Sequence, residues 1–560
     1  MTFLVPLPVV VPLLGAAVTL LLTRRPRAQR TVSLTALSTT LIVSLALLVL
    51  ATQDGALAVA VGGWGPLGIV LVADQLAALM LVVSSAVTLC VLIYSIGQGM
   101  VDGVEDTPLS VYHPTYLILT AGVTNAFLSG DLFNLYVGFE ILLVASYVLL
   151  TLGSTENRIR AGTTYVVVSL LSSLIFLTAL GLVYAATGTL NMAQLVTRLD
   201  ALPDNLRLVL QGMLLLAFGI KAAVFPLSSW LPDSYPTAPA PVTAVFAGLL
   251  TKVGVYAIIR TETLLFPEGR VADLLLVVAL LTMVVGILGA VAQSDIKRLL
   301  SFTLISHIGY LLLGIGLATP AGLSASIFYT AHHIVVQTTL FLVAGLIEMR
   351  GGSTALDRLG GLARLSPILG LLFLVPALNL AGIPPFSGFL GKVGLFQAAA
   401  GVGGWLAWAL VAGGAITSLL TLYAVARVWN LAFWRNPNPA MPGVAPDEVN
   451  PVDRVPAVTL SVTGRSVPVS AGDERGAYAA GRTVAPRSSA VPLDDRDAAD
   501  ESAVRLPGMM VGPTIALVAL GTALTVAAGP LFSIAATSAA DLIGRDAYVR
   551  TVADLPEVGE

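Results

Sequence analysis

Six ionisable residues stand where their surroundings have almost none. Glu140 lies in GDLFNLYVGFEILLVASYVLL, Lys221 in AFGIKAAVFP and Lys252 in FAGLLTKVGVYAI. The adjacent His332 and His333 lie in FYTAHHIVVQTTLFLVAG, and Lys392 in NLAGIPPFSGFLGKVGLF. All six can gain or lose a proton. Burial lowers a lysine pKa and raises a carboxylate pKa, while a carboxylate beside a lysine restores the charged form. One pKa unit is about 1.4 kcal/mol, so a Glu140–Lys221 pair whose separation changes would work as a proton-loading switch. His332 and His333 point about 100° apart on a helix, so one of them at most is expected to line a given path. The competing reading makes these groups structural glue that satisfies neighbouring polar atoms. It explains any one of them more easily than all of them together.

Proline marks two of these positions. Pro226, Pro232, Pro236, Pro239 and Pro241 follow Lys221, and Pro384 and Pro385 precede Lys392. Proline removes a helix hydrogen bond and disrupts the preceding turn. In a membrane, backbone freed in this way is tolerated only inside protein or beside a watery cavity, and interrupted helices mark ion sites in transporters. Both lysines are therefore expected beside broken helices that hydrate or pair them. A packing kink without a transport role is the alternative.

The elements that hold these residues must be membrane helices. The chain has 560 residues, 56% hydrophobic and 11% charged, with mean hydropathy +0.90, where a soluble domain has about 25% charged residues. Long unbroken apolar runs exclude the weak alternation of a membrane barrel. The single cysteine, Cys90, excludes an intrachain disulfide and thiolate-ligated clusters. Neither a phosphate-cradling GxxxxGK[ST] nor a strand-borne GxGxxG is present, so no nucleotide or other cofactor is expected. The net charge of −3 says little about partners, and nothing points to nucleic acid.

At about 20 apolar residues per span, the sequence divides into fourteen expected spans, near 2–22, 32–52, 69–97, 113–129, 131–152, 161–186, 206–228, 239–262, 271–293, 297–317, 321–349, 366–399, 404–434 and 508–536. The first lacks a basic region ahead of it and a cleavage signal, and is read as retained. The basic loops TRRPRAQR, ENRIR, SDIKRLL and EMRGGSTALDRLGGLAR fall on one face if the spans alternate. That face is expected to be cytoplasmic, with both termini outside. Arg260, Arg270 and the acidic GMVDGVEDTPLS run against the rule. Residues 435–507, rich in Pro, Ala and Gly with scattered charges, read as a disordered cytoplasmic linker, and residues 537–560 as a tail. GLLTKVGVY and GFLGKVGLF match at five of nine positions, a weak hint of duplication.

The motifs GDLFNLYVGFE, AGTTYVVVSL, ATGTLNMAQL, GIKAAVFPLSSWLPDSYPTAPAPVTAVFAGLLTKVGVY, QSDIKRLLSFTLISHIGY, HHIVVQTTLFLVAGLIE and AGIPPFSGFLGKVGLF occur in that order. This series resembles the antiporter-like subunits shared by Mrp-type Na+/H+ antiporters and respiratory complex I, and covers nearly the whole chain apart from the linker. FNLYVGFEILLVASY, TLNMA, the His-His pair and GRDAYV bring it closest to the D-type subunits of the Mrp complex.

The resemblance implies an all-α polytopic fold of about fourteen helices: helices 1–3 over 1–112, then two inverted five-helix repeats over 113–262 and 271–434. Helices 7 and 12 would be broken, with Lys221 and Lys392 as the symmetric pair, an arrangement that sets aside the nine-residue match. Glu140 and Lys221 resemble the family's carboxylate–lysine switch, Lys252 and one of His332 or His333 its relay across the midplane, and Lys392 its terminal proton site. Asp295 and Lys297 would shape the cytoplasmic entrance. Gln337 departs from the pattern, since some Mrp relatives are expected to carry a lysine after HHIVV.

The function implied is that of one subunit of a cation/proton antiporter in the bacterial cell membrane, working with A-, B-, C-, E-, F- and G-type partners on H+ and Na+ or another monovalent cation. It would not be an enzyme. Two other readings stay open: a proton-pumping subunit of a redox enzyme such as complex I or a membrane hydrogenase, and a scaffold whose polar groups only stabilise packing. No cation cage is legible, because hard cations need several convergent oxygens and the sequence does not show which of Asp74, Glu140 and the Ser or Thr oxygens meet.

Overall fold

The computed structural model describes residues 2–63, 68–99, 111–152, 156–437 and 506–555. The expected linker, apart from its ends, and most of the acidic loop lie outside them. Among the described residues, twelve helices are long and apolar enough to cross a membrane, and the chain is a predominantly helical polytopic membrane protein.

Helices α1 (Leu7–Leu21) and α2 (Pro26–Gln53) lead into an antiparallel hairpin of β1 (Leu57–Ala60) and β2 (Val70–Ala73), with Leu57 opposite Ala73. Helices α3 (Gln75–Gly97), α4 (Tyr112–Leu128), α5 (Leu132–Thr151) and α6 (Glu156–Thr187) follow, then a short amphipathic α7 (Met192–Asp200). Helix α8 (Asp204–Ala222) stops inside the apolar run, and the chain turns through α9 (Leu231–Ser234). Next, α10 (Ala240–Val245) and α11 (Thr251–Arg260) form one continuous rod with π turns at Phe246–Leu250 and Thr261–Leu265. Helices α12 (Ala272–Val291), α13 (Ile296–Gly316) and α14 (Pro320–Gly351) precede the single turn α15 (Leu362–Leu365). The run expected as one span over 366–399 is two halves, α16 (Pro367–Ala381) and α17 (Ser387–Val402). After α18 (Gly404–Val428), the run expected over 508–536 is also two helices, α19 (Gly508–Val526) and α20 (Ala528–Gly544), and α21 (Asp546–Ala553) occupies the expected tail.

Burial sorts these helices into centre and rim. The apolar windows of the α10–α11 rod and of α14 are wholly buried, whereas α1, α18 and α19 are only one-third buried and turn Leu, Val and Ile outward. Close approach in the centre depends on small residues: a Cβ on Gly286 would lie 2.4 Å from the Ser306 nitrogen, and one on Gly309 would lie 2.6 Å from the Ala279 carbonyl oxygen. Helices α12 and α13 therefore touch backbone to backbone, as membrane helices do where side chains are small.

One end of the bundle gathers the hairpin, α7 and α21. There Asp74 caps α3 by accepting from the Ala77 N–H (2.9 Å) and receives both terminal nitrogens of Arg260, with Nη2 at 2.9 Å. Arg260 also donates to the Tyr256 hydroxyl (2.8 Å) and faces the rings of Tyr256 and Tyr548. Arg270 pairs with Asp204 (2.7 Å) and Glu268, and Arg207 with Asp200 (3.0 Å) and Glu268 (2.6 Å). The two arginines that run against the loop-charge rule are thus each paired with carboxylates.

Two outcomes test this end. Arg260→Met leaves the Asp74 carboxylate largely buried and unpaired, and should cost about 3–5 kcal/mol; the Asp74→Asn/Arg260→Met double variant should recover part of it, read as the thermal midpoint of the extracted complex. Asp131, just before α5, is buried and caps that helix through Asn134 N (2.6 Å). Burial pushes its carboxyl from 3.8 up to about 6, against backbone N–H groups that pull it down. Its folded pKa is raised, so its contribution to stability is present at low pH and lost as pH rises through about 6. Asp131→Asn keeps the capping oxygen and should raise the midpoint above that pH while matching wild type near pH 4.

Candidate functional site

Glu140 on α5, Lys221 on α8 and Ser173 on α6 meet in one bridge. The Ser173 hydroxyl donates to Glu140 Oε1 and accepts from Lys221 Nζ at 3.2 Å. The carboxylate and the ammonium therefore communicate through a hydroxyl rather than as a direct ion pair. Lys221 also lies 4.8 Å from the centre of the Phe139 ring. Neighbouring Ser172 donates to the Ala217 carbonyl (3.0 Å), fixing α6 against α8. Serine in an apolar run carries no charge signal, so sequence alone does not single out Ser173; the SS doublet within VSLLSSLIFL is the available clue.

Lys221 sits in the last turn before the break. Ala223 adopts a left-handed conformation (φ 56°), and Val224 N reaches back to the Gly219 carbonyl (3.0 Å). The freed Ile220 carbonyl accepts from the Trp230 indole (3.2 Å), and Phe225 N donates to the Thr282 hydroxyl (3.2 Å). The second break repeats these features: Gly382 is left-handed (φ 83°), and Ile383 N reaches back to the Leu378 carbonyl (3.1 Å). Each is followed by a cis proline, Pro226 or Pro385, with Pro384 preceding the latter. The lysines stand on opposite sides of these similar breaks. Lys221 precedes its own, whereas Lys392 lies in the second turn of α17 and donates back to the Leu380 and Ala381 carbonyls, each at 3.1 Å. By local register the two are not equivalent positions.

Lys252 occupies the centre of the bundle with no exposure, and its Nζ donates to the Ala247 carbonyl at 2.6 Å, inside the π turn. A narrow cavity of about 20 Å3 lies beside Lys221 and reaches the π turn, room for about one water. Its lining includes Lys221, Tyr165, Ser169, Trp230, Tyr235 and, from the π turn, Leu250. Lys221 and Lys252 are not in contact.

Beyond Lys252 the structure assembles a cluster of rings. His307 on α13 stacks on His333 with centres 5.2 Å apart, and its Nδ1 is 2.7 Å from the Tyr329 hydroxyl. Tyr329 contacts His332 (5.1 Å) as well as His333 (6.2 Å), so both adjacent histidines join one cluster rather than one alone. His332 Nδ1 is 2.9 Å from the Ser387 hydroxyl at the second break. Tyr310 closes the array, 5.5 Å from His307 and beneath Lys392 Nζ at 4.9 Å. Lys252 is within electrostatic reach of His307 and His333, and Lys392 of all three histidines. His307 is visible in SHIGY but stands outside the six ionisable residues that the sequence brings forward; Tyr329 has no signal of its own.

The remaining expectations fall at the periphery or into packing. Asp295 caps α13 through Arg298 N (3.0 Å), and Lys297 pairs with Glu348 (2.6 Å). Gln337 donates to the Leu300 carbonyl on α13 (2.8 Å). Both Asp74 oxygens are engaged by Arg260, and among the described residues no grouping of His, Cys, Asp or Glu could hold a metal ion.

A family model described as "NADH:quinone oxidoreductase/Mrp antiporter, TM" matches residues 129–421. The chain is 40% identical over 438 residues to the D-type subunit of a Na(+)/H(+) antiporter from Alkalihalophilus pseudofirmus, covering 78% of this chain and 87% of that protein. Among solved structures, a chain of the Mrp complex from Dietzia sp. DQ12-45-1b matches with TM-score 0.82 and 32% identity, covering 99% of this chain and 100% of that one. A chain of respiratory complex I from Thermus thermophilus shares the fold, at TM-score 0.73 and 24% identity over 97% of this chain and 100% of that one.

The tightest approach in the site predicts a sensitive position. A Cβ on Gly388 would lie 2.0 Å from the Asn379 carbonyl oxygen and 3.0 Å from the His332 ring. Gly388→Ala should cost about 1–3 kcal/mol by overpacking, whereas Gly212→Ala, with nothing within 4 Å, should not. Thermal midpoints of the two variants check this.

Proposed function

Because the chain belongs to the NADH:quinone oxidoreductase/Mrp antiporter transmembrane family, we propose that it is one subunit of a multi-subunit monovalent cation/proton antiporter. It would exchange Na+ or a similar cation for protons across the bacterial cell membrane. The observation that carries this reading is the Ser173 bridge between Glu140 and Lys221 at a helix break. A hydroxyl that donates to a carboxylate and accepts from an ammonium can pass a proton in one concerted step: Lys221 protonates Ser173 as Ser173 protonates Glu140. The step leaves lysine and glutamic acid both neutral and abolishes a charge pair that lipid disfavours. Lys221, once neutral, can take another proton through the cavity shared with the π turn.

The path then runs through Lys252 and the imidazole–tyrosine cluster to Lys392, with both lysines held by backbone carbonyls. The membrane potential supplies about 2.3 kcal/mol per charge per 100 mV, comparable to the pKa differences such steps must overcome. In the proposed orientation the loops near Lys297 and Arg158 face the cytoplasm, and the hairpin end with both termini faces outside. The two similar breaks fit inverted repeats over 113–262 and 271–434. The other subunits of the complex would cover part of the apolar rim. Within this family, 40% identity to an antiporter component favours ion exchange over a redox-driven pump.

The test is Na+-dependent dissipation of ΔpH in inverted vesicles from an antiporter-deficient host expressing the whole operon, with assembly followed on native gels. Lys221→Ala and Glu140→Ala should each reduce exchange about a hundredfold or more, the scale of a lost proton-transfer group, with the complex intact. Ser173→Ala should slow exchange, and Ser173→Thr, which keeps the hydroxyl, should restore it. Exchange surviving in both charge variants would remove the bridge from the mechanism.

A further inference from the structure

Glu262 is a half-buried carboxylate that the path above does not use. It lies in the π turn that ends the α10–α11 rod, at the hairpin end of the bundle. Its Oε2 accepts from the buried Gln211 amide at 2.9 Å, while its Oε1 is shielded from solvent and has no hydrogen-bond partner. The cations around it are engaged elsewhere. Arg207, one turn from Gln211 on α8, pairs with Asp200 and Glu268, Arg260 with Asp74, and Arg270 with Asp204 and Glu268. Among the described residues no cation pairs with Glu262.

A cavity of about 50 Å3 opens beside this carboxylate, several times the space one water needs. Part of its wall comes from the ends of the rod that carries Lys252 and of the two helices that carry the imidazole cluster. Glu262 and Thr263 end the rod that carries Lys252, Ile315 ends the helix of His307, and Thr319 and Leu323 begin the helix of His332 and His333. Ile315 is eight residues from His307 and Leu323 six from Tyr329, so the cavity stands roughly 10 Å beyond the cluster at 1.5 Å per helical residue. That distance is too long for direct transfer, so a proton crossing it would need water to enter between α13 and α14.

We propose that Glu262 is the proton outlet of this subunit, the group through which protons pass between the imidazole cluster and the hairpin-end surface. The inference rests on the proton path proposed above and adds its outer terminus. The oxygen without a partner takes the proton, and the Gln211 amide holds the other oxygen so that the carboxyl keeps one orientation. Release to the surface then leaves a carboxylate that no cation among the described residues pairs with. The unpaired state is what allows the next proton to bind.

The experiment is a pH-difference infrared spectrum of the purified complex, wild type against Glu262→Gln, beside exchange in vesicles. Wild type should show the carbonyl stretch of a protonated carboxylic acid that disappears as pH is raised, and Glu262→Gln should lack it and exchange several-fold more slowly. Gln211→Leu, which removes the hydrogen bond but keeps the carboxyl, should move the frequency of the same band, and serves if Glu262→Gln fails to assemble. An identical spectrum in wild type and Glu262→Gln overturns the proposal, even if exchange falls, because the residue would then act only in packing. A band moved by neither variant overturns it as well. If the wild-type complex exchanges no cation for protons, the antiporter reading fails, while the infrared titration still decides whether Glu262 takes up and releases a proton.

Discussion

A lysine ammonium and a helix carbonyl without its ladder partner are each costly in hydrocarbon, and in this molecule each removes the other's cost. The Lys392 ammonium lies between the Leu380 and Ala381 carbonyls, which the end of α16 leaves free. The Lys252 ammonium takes the Ala247 carbonyl inside a π turn. Unsatisfied backbone in the membrane interior costs several kcal/mol per group, and a central charge a comparable amount. Neither the breaks nor the charges would be stable alone. A lysine that gives up its proton also weakens its hold on these carbonyls, so proton movement is coupled to the geometry of the helix end.

Lys221 is arranged differently, and the difference matters. The carbonyl freed at its break is taken by the Trp230 indole, and the exposed amide of Phe225 by Thr282. That backbone needs nothing from the lysine, which faces Ser173 and the narrow cavity instead. A lysine bound to carbonyls has only acceptors beside it, whereas one bound to a hydroxyl has a neighbour that can both accept and donate. Of the three lysines, only Lys221 has, among the described residues, a hydroxyl neighbour rather than backbone carbonyls alone.

Sequence reading reaches the spans because hydropathy over about 20 residues is a strong signal, and it reaches the charged groups because charges in such runs are few. It runs elements together at three boundaries that interrupt one apolar run: β2 into α3, α16 into α17, and α19 into α20. The contribution of Ser173 is hidden because a neutral hydroxyl does not stand out, and that of Tyr329 because an aromatic residue in an apolar helix normally reads as packing. Arg260 looks like a failure of the orientation rule. Its partner, Asp74, is 186 residues away, and no periodicity links the two. The adjacent histidines look like alternatives because an isolated helix separates them by about 100°, but Tyr329 on the same helix and His307 on the neighbouring one bring both into one cluster.

The distribution of cation types follows from what each can do with a proton. Arginine stays charged at any accessible pH and forms rigid bidentate pairs, whereas lysine and histidine change charge when their surroundings change. In the described structure the arginines sit towards the ends of the bundle, held by carboxylates as at Asp74 or by backbone carbonyls as at Arg427 and Arg435. The buried centre of the bundle holds Lys221, Lys252, Lys392 and the three histidines. An arginine in the centre would demand a permanent counter-charge and fix the local field. Lysines held by carbonyls, a hydroxyl and aromatic faces need no permanent counter-charge, so the field along the centre can change each time a proton arrives or leaves.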